Sequence, residues 1–131
     1  YLNLIDGKLN FNKTRLINKK IGILELENSN LSYENNRLIL NTDILVNIKN
    51  SNELFSLLKT NKKFRKPIKN ILINLDYDFL SNKIDFNNIK INNQEINDEL
   101  LRVIDGFNDS ELNNWNKSKR ILNIFFETYE G

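Results

Sequence analysis

The chain contains no histidine, cysteine or methionine among its 131 residues. Histidine is the commonest general base, and histidine and cysteine are the usual ligands of zinc and copper. Their absence therefore removes these chemistries together with thiol nucleophiles. It also excludes disulfides, although a lack of cysteine fits the cytosol and the periplasm equally well. We expect a protein that is not an enzyme and that holds no metal and no cofactor.

Long apolar runs are absent as well. A transmembrane helix needs about 20 mostly apolar residues, whereas the uninterrupted apolar stretches here are only a few residues long. No segment has the pattern of a secretory signal, so we expect any membrane anchor to lie outside these residues. The first residue is Tyr1 rather than methionine, and residues 1–6 already have a strand-like pattern. We therefore expect one domain, or a terminal fragment of a longer protein, spanning residues 1–131.

Alanine is missing too, and asparagine, isoleucine, lysine and leucine together supply more than half of the chain. These residues have A/T-rich codons, so we attribute the bias to an AT-rich genome rather than to chemistry. The 19 basic and 17 acidic side chains are spread along the chain and leave a net charge of +2. So small a net charge produces no strong electrostatic field, and we expect no nucleic-acid partner.

Two long segments, residues 38–48 and 69–79, alternate apolar and polar side chains. Because side chains alternate across a strand, each segment is predicted to be a strand with one apolar and one polar face. Together they predict an antiparallel sheet that is solvated on one side. The apolar positions are Leu38, Leu40, Ile44, Val46, Ile48, Ile71, Ile73, Leu75, Tyr77 and Phe79.

The remaining pattern predicts further strands in residues 7–11, 20–27, 30–34 and 84–91, with a hairpin turn at Asn35 and Asn36. In the last of these strands the apolar parity changes, which predicts a bulge near Asn87 and Asn88.

Helices are predicted where the apolar period changes. One follows a cap at Asn50 or Ser51 and ends near Thr60, one runs from about residue 98 to 105, and one runs from 109 or 110 to about Tyr129. Residues 1–93 are thus mainly β with one helix near 51–60, and residues 94–131 are helical. The predicted fold is α+β: a curved antiparallel sheet of hairpins, one short helix between hairpins and two C-terminal helices.

Three clusters of side chains are candidates for chemistry. Asp76 and Asp78, joined by Asp85 across the hairpin, have the composition of a cation site, but alternation alone also requires polar residues there. The basic residues can contact anionic headgroups or nucleic-acid phosphate, or form an ordinary solvated loop; they are Lys62, Lys63, Arg65, Lys66 and Lys69. An aromatic set at helical spacing is interpreted as core rather than as a membrane-interface patch, and comprises Trp115, Phe125, Phe126 and Tyr129.

The apolar sheet face is the remaining candidate. A strand of about 10 residues is about 30 Å long, whereas a helix of about nine residues covers only about 14 Å. One short helix therefore cannot cover this face, although the two C-terminal helices can. If they leave it open, the candidates for lipid contact are Leu40, Ile44, Val46, Ile48, Ile71, Ile73, Leu75 and Tyr77.

Residues 21–50 (IGILELENSNLSYENNRLILNTDILVNIKN) and 71–93 (ILINLDYDFLSNKIDFNNIKINN) resemble the repeating hairpins of AsmA-like proteins of Gram-negative bacteria. The closing FFETYEG is similar to the carboxyl end of such proteins from AT-rich genomes. The resemblance implies a segment of an inner-membrane-anchored periplasmic protein, similar to bridge-like lipid transporters. In those, a curved sheet offers its apolar concave face to phospholipid acyl chains. The implied role is lipid transport and outer-membrane assembly, with membrane attachment through an anchor outside this chain.

Two functional hypotheses therefore remain. In the first, the apolar face binds acyl chains by area burial, which needs no particular polar residue. In the second, the chain is a structural or protein-interaction domain that pairs through an edge strand and does not contact lipid.

Overall fold

The computed structural model describes residues 3–5, 8–10, 13–105, 110–111 and 115–130, with side chains in 13–105 and 115–130. Within these residues, nine strands form one antiparallel sheet, and three α-helices follow or interrupt it. The strands are β1 (Asn3–Ile5), β2 (Lys8–Asn10), β3 (Thr14–Asn18), β4 (Gly22–Glu34), β5 (Arg37–Ile48), β6 (Asn70–Asp78), β7 (Lys83–Ile91), β8 (Gln94–Glu95) and β9 (Ser110–Glu111). The helices are α1 (Ser51–Leu58), α2 (Asp98–Asp105) and α3 (Trp115–Thr128). The predicted α+β class with a curved antiparallel sheet is confirmed.

The sheet runs in the order β1-β2-β4-β5-β6-β7-β8. β3 pairs with β4 beside β2, and β9 pairs with the first residues of β7. Asparagine, which tolerates positive φ, forms the tight turns that join β4 to β5 and β7 to β8. Asn35 and Asn36 have φ of 51° and 59°, and Asn92 and Asn93 have φ of 52° and 64°.

Two bulges keep the apolar residues on one face. Between β6 and β7, Asn74 pairs with Asn88 and Leu75 with Phe86, so Asn87 is the extra residue, as the change of parity predicted. The second bulge was not predicted. The two strands expected at residues 20–27 and 30–34 are the single strand β4, which begins at Gly22 and whose register shifts between Glu27 and Asn30.

The first helix forms as predicted. The Asn50 side chain accepts a hydrogen bond from the Asn52 backbone N–H at 3.0 Å and caps α1, which Lys59 ends in a left-handed conformation. Asn97 likewise caps α2 by accepting from the Leu100 N–H at 2.9 Å.

The start predicted for the last helix is wrong. Ser110 and Glu111 form β9, and α3 begins at Trp115. The capping signal at residues 109–110 is local, and pairing of Ser110 with Ile84 overrides it. Asp109, the other start predicted for this helix, lies outside the described residues, as do Gly7 and Phe11 of the strand predicted at 7–11.

The hydrophobic core lies between the helices and one end of the sheet. Phe55 of α1 and Phe126 of α3 meet edge to face with ring centroids 5.2 Å apart. We call the buried set the helix-packed core: Phe55, Leu58, Ile68, Ile71, Ile89, Ile91, Leu100, Ile104, Phe125 and Phe126. Trp115 is not part of it. The interpretation of this side chain as core is wrong, because 56% of its surface is exposed.

Candidate functional site

The apolar face of the sheet is divided into two parts. Val46, Ile48 and Ile73 pack against the helix-packed core, and Ile71 belongs to it. Half of the eight candidates for lipid contact thus already have protein partners. Leu40, Ile44, Leu75 and Tyr77 lie farther along the strands, outside that core, and Leu75 is itself buried.

The part of this face outside the helix-packed core extends over three strands. Leu26 of β4 pairs with Ile44 of β5, and Leu40 of β5 pairs with both Leu31 of β4 and Tyr77 of β6. Cross-strand partners share a face and lie about 5 Å apart, so these side chains form one continuous surface. Its half-buried residues, which we call the distal apolar face, are Leu24, Leu26, Leu31, Leu38, Leu40, Ile44 and Tyr77.

A buried polar pair interrupts the distal apolar face. The bulge in β4 places the hydroxyl of Ser29 2.6 Å from that of Thr42, and each residue is only 1% exposed. The two hydroxyls therefore hydrogen-bond to each other, and Thr42 also donates a weak hydrogen bond to the Glu27 carbonyl. A ligand on this surface meets apolar side chains and no polar group that needs a partner.

A small apolar cavity lies where the distal apolar face meets the helices. It has a volume of about 70 Å³ and is bounded by Ile73 of β6, Phe86 of β7 and Leu122 of α3, among other apolar side chains. Ile73 pairs with Ile44 of the distal apolar face, so the two apolar regions are adjacent.

The opposite face carries a network of asparagine and aspartate side chains. Asn28 and Asn74 donate to the two oxygens of Asp43 at 2.8 and 2.7 Å, and Asn41 donates to Asp76 at 2.7 Å. The asparagine side chains, whose abundance we attribute to an AT-rich genome, therefore donate hydrogen bonds to the aspartates of this face.

The aspartates proposed as a cation site lie here too. Asp76 pairs with Asp85 across the hairpin, and a cavity of about 290 Å³ adjoins both and Asp78. Arg37 reaches Asp78 at 3.5 Å, and the Leu80 N–H donates to the same carboxylate at 3.0 Å. Among the residues whose side chains are described, no three acidic groups are placed to hold a metal ion.

Asp78 is mostly buried, and its charge is nevertheless favoured. Burial opposes the charged form, but hydrogen bonds from Leu80, Ser81 and Arg37 outweigh it and hold the pKa of the Asp78 carboxyl below its usual value. The Asp78 carboxylate thus stabilises the turn after β6 as a charged hydrogen-bond acceptor.

The basic cluster is largely occupied by structural contacts. Arg65 donates to the Thr60 carbonyl at 2.9 Å, and Lys66 donates to the Tyr129 carbonyl, which fastens the loop to α1 and to the end of α3. Lys62 and Lys63 are exposed, and the Lys63 ammonium lies 4.8 Å from the centre of the Phe64 ring. They precede β6, however, and Tyr77 lies about 24 Å along that strand from its first residue.

Strand β3 is the feature that the sequence patterns missed. Its five residues pair with β4 on one side, and no other described strand pairs with it. The alternation in TRLIN is too short to stand out, and both of its large apolar residues, Leu16 and Ile17, are 67% exposed. The two adjacent aliphatic side chains, both exposed, are the feature that distinguishes this strand.

No family model, curated protein or solved structure matches this chain. Within the described residues, none of the helices has the length and apolar character needed to cross a membrane.

Proposed function

We propose that this chain is a non-enzymatic, lipid-handling segment of an AsmA-like protein and that it contacts phospholipid acyl chains through the distal apolar face. The observation that carries the proposal is that, among the described residues, the helices cover only part of one apolar sheet face. The helices pack over Val46, Ile48 and Ile73, while the aliphatic side chains beyond them remain outside the helix-packed core.

The energetics of this face suit an acyl chain. Each methylene transferred from water contributes about 0.8 kcal/mol, without any requirement for a directional partner. Contact with about five methylenes would therefore supply about 4 kcal/mol. A peptide would instead need hydrogen bonds for its backbone groups, and on this face the hydroxyls of Ser29 and Thr42 already satisfy each other.

The setting of this function is part of the proposal. The resemblance in residues 21–50 and 71–93 supports a periplasmic segment of an inner-membrane-anchored protein that acts in lipid transport and outer-membrane assembly. Headgroup contact is confined to Lys62 and Lys63, because Arg65 and Lys66 have structural partners.

Crosslinking to a photoactivatable fatty acid tests the proposal with a pair of matched variants. Ile44 and Leu45 are adjacent, aliphatic and half-buried, but they lie on opposite faces of β5. Ile44→Asn removes apolar contact with about two methylenes and should lower affinity about tenfold. Leu45→Asn should leave it unchanged. Val46 and Ile73 are unsuitable, because they pack against the core.

Thermal unfolding of both variants shows whether each still folds. Equal crosslinking by folded Ile44→Asn and Leu45→Asn would refute lipid contact through the distal apolar face. Loss of crosslinking in Leu45→Asn alone would move the lipid site to the other face and refute the proposal equally.

A second candidate function is protein interaction through an edge strand without lipid contact. The open side of β3, with Leu16 and Ile17 both exposed, favours it.

A further inference from the structure

The free side of β3 has the properties of a strand-addition site. β3 is held to β4 by a regular register in which Arg15 pairs with Glu25 and Leu16 with Leu24. In an antiparallel pair, the N–H and C=O groups of alternate residues point away from the neighbour. β3 therefore presents unpaired backbone groups along the side on which the described residues provide no strand.

The position of β3 is fixed at both ends. The Lys13 N–H donates to the Leu26 carbonyl at 2.9 Å, and the Asn18 side chain accepts from the N–H groups of Lys20 and Ile21. The Arg15–Glu25 ion pair, with its atoms 3.1 Å apart, joins the strand to β4 between those ends. Little ordering of the strand is then needed when a partner binds.

Each face of the edge offers apolar area. Leu16 and Ile17 point to opposite faces and are both 67% exposed. Beside Ile17, a shallow groove of about 330 Å³ is lined by Ile17, Ile23 and Ile48 and flanked by Lys19 and Lys49. An added strand with apolar residues opposite Leu16 and Ile17 would bury both.

The charges around β3 identify the kind of partner. Lys13 precedes the strand, Lys19 and Lys20 follow it, and all three are exposed. A second copy paired antiparallel about Leu16 would place Lys13 opposite Lys19 of that copy, twice in each dimer. Like charges directly opposite are destabilising, so this surface disfavours self-pairing and favours acidic residues at both ends of the incoming strand.

We propose that β3 binds an extended segment of a partner protein that adds as an antiparallel strand. The segment has two adjacent aliphatic residues at its centre and an acidic residue at each end. This inference rests on the edge-strand interaction of the second candidate function, and its test does not depend on whether the distal apolar face binds lipid. To that function it adds which strand is bound, the register of the pairing and the chemistry of the partner segment.

The register specifies a peptide probe. Acetylated and amidated Asp-Thr-Val-Ile-Thr-Thr-Asp places its acidic ends opposite Lys19 and Lys13, and its Val and Ile opposite Ile17 and Leu16. Titration of the complete chain, followed by backbone amide NMR, should shift the signals of residues 13–19. The same peptide with lysine at both ends should bind at least tenfold more weakly, and methylation of alternate peptide amides should abolish binding.

Three protein variants sharpen the test. Ile17→Lys should abolish binding, whereas Leu57→Lys should not, because Leu57 is a comparably exposed residue (54%) on α1. The double variant Lys13→Glu and Lys19→Glu should reverse the preference and select the lysine-ended peptide.

Each adverse outcome has a distinct meaning. If the two peptides bind equally and methylation abolishes both, edge pairing stands but the acidic partner is refuted. If no peptide binds, both the inference and the second candidate function fail. Sedimentation showing a dimer of the wild-type chain that Ile17→Lys dissociates would refute a partner protein in favour of a second copy.

Discussion

Gly22 is the position at which the structure makes its sharpest prediction. It begins β4 and pairs with Asn18 of β3 and Ile48 of β5, so three strands meet there. Its φ of +150° is rarely adopted by residues with a Cβ. A Cβ added to it would lie 2.0 Å from the carbonyl oxygen of Asn47 and 3.0 Å from the Cα of Ile48.

Gly22→Ala should therefore destabilise the protein strongly. Ordinary Cβ contacts begin near 3.4 Å, so the Asn47 carbonyl or β4 has to move by more than an ångström. An unfavourable backbone conformation costs about 1–3 kcal/mol, and overpacking costs a similar amount. We expect a loss of about 3 kcal/mol, which for a chain of this size lowers Tm by about 12 °C.

Thermal and urea unfolding measure this loss, with Lys20→Ala as the control at a nearby exposed residue. Because the obstructing atom belongs to the main chain, adding Asn47→Ala should not restore stability. A loss below about 1 kcal/mol for Gly22→Ala, or rescue by Asn47→Ala, would refute the close approach of β4 and β5 at this point.

Two further predictions concern buried polar groups. Ser29→Ala or Thr42→Val alone removes the hydrogen bond between the two buried hydroxyls and should cost about 1–3 kcal/mol, while the double variant should cost less than the sum; additive losses in urea unfolding would contradict the pairing. The folded-state pKa of Asp78 lies below its usual value of 3.8, so its charge stabilises the protein above about that pH and the contribution is lost as pH falls through the lower, folded-state pKa. Urea unfolding between pH 2 and 6 should show a smaller acid-induced loss in Asp78→Asn, and identical pH profiles would exclude the role.

Features encoded by neighbouring residues could be predicted from the sequence. The turn at Asn35 and Asn36 depends on backbone conformations that asparagine tolerates, and the bulge at Asn87 follows from the change of apolar parity within one strand. The cap of α1 at Asn50 is equally local.

Features that depend on distant partners could not be predicted. Ser110 carries a capping signal but pairs with Ile84, and Trp115 has helical spacing but faces solvent. Which part of the apolar face the helices cover depends on how Phe55 and Phe126 meet, and no local pattern encodes that contact. For the candidate site, the sequence predicted which face of the sheet is apolar. The structure then showed which part of that face lies outside the helix-packed core.

The β3 edge and the distal apolar face belong to one surface. Leu16 pairs with Leu24, so it lies on the apolar face and extends it by one strand. The peptide residue opposite Leu16 would extend that face by another strand, which couples the two proposed sites. Adding the acid-ended peptide should increase fatty-acid crosslinking of the wild-type chain and leave that of Ile17→Lys unchanged. If peptide binding leaves the wild-type crosslinking unaltered, acyl chains do not reach the β4 side of the distal apolar face, and the lipid contact is confined to β5 and β6.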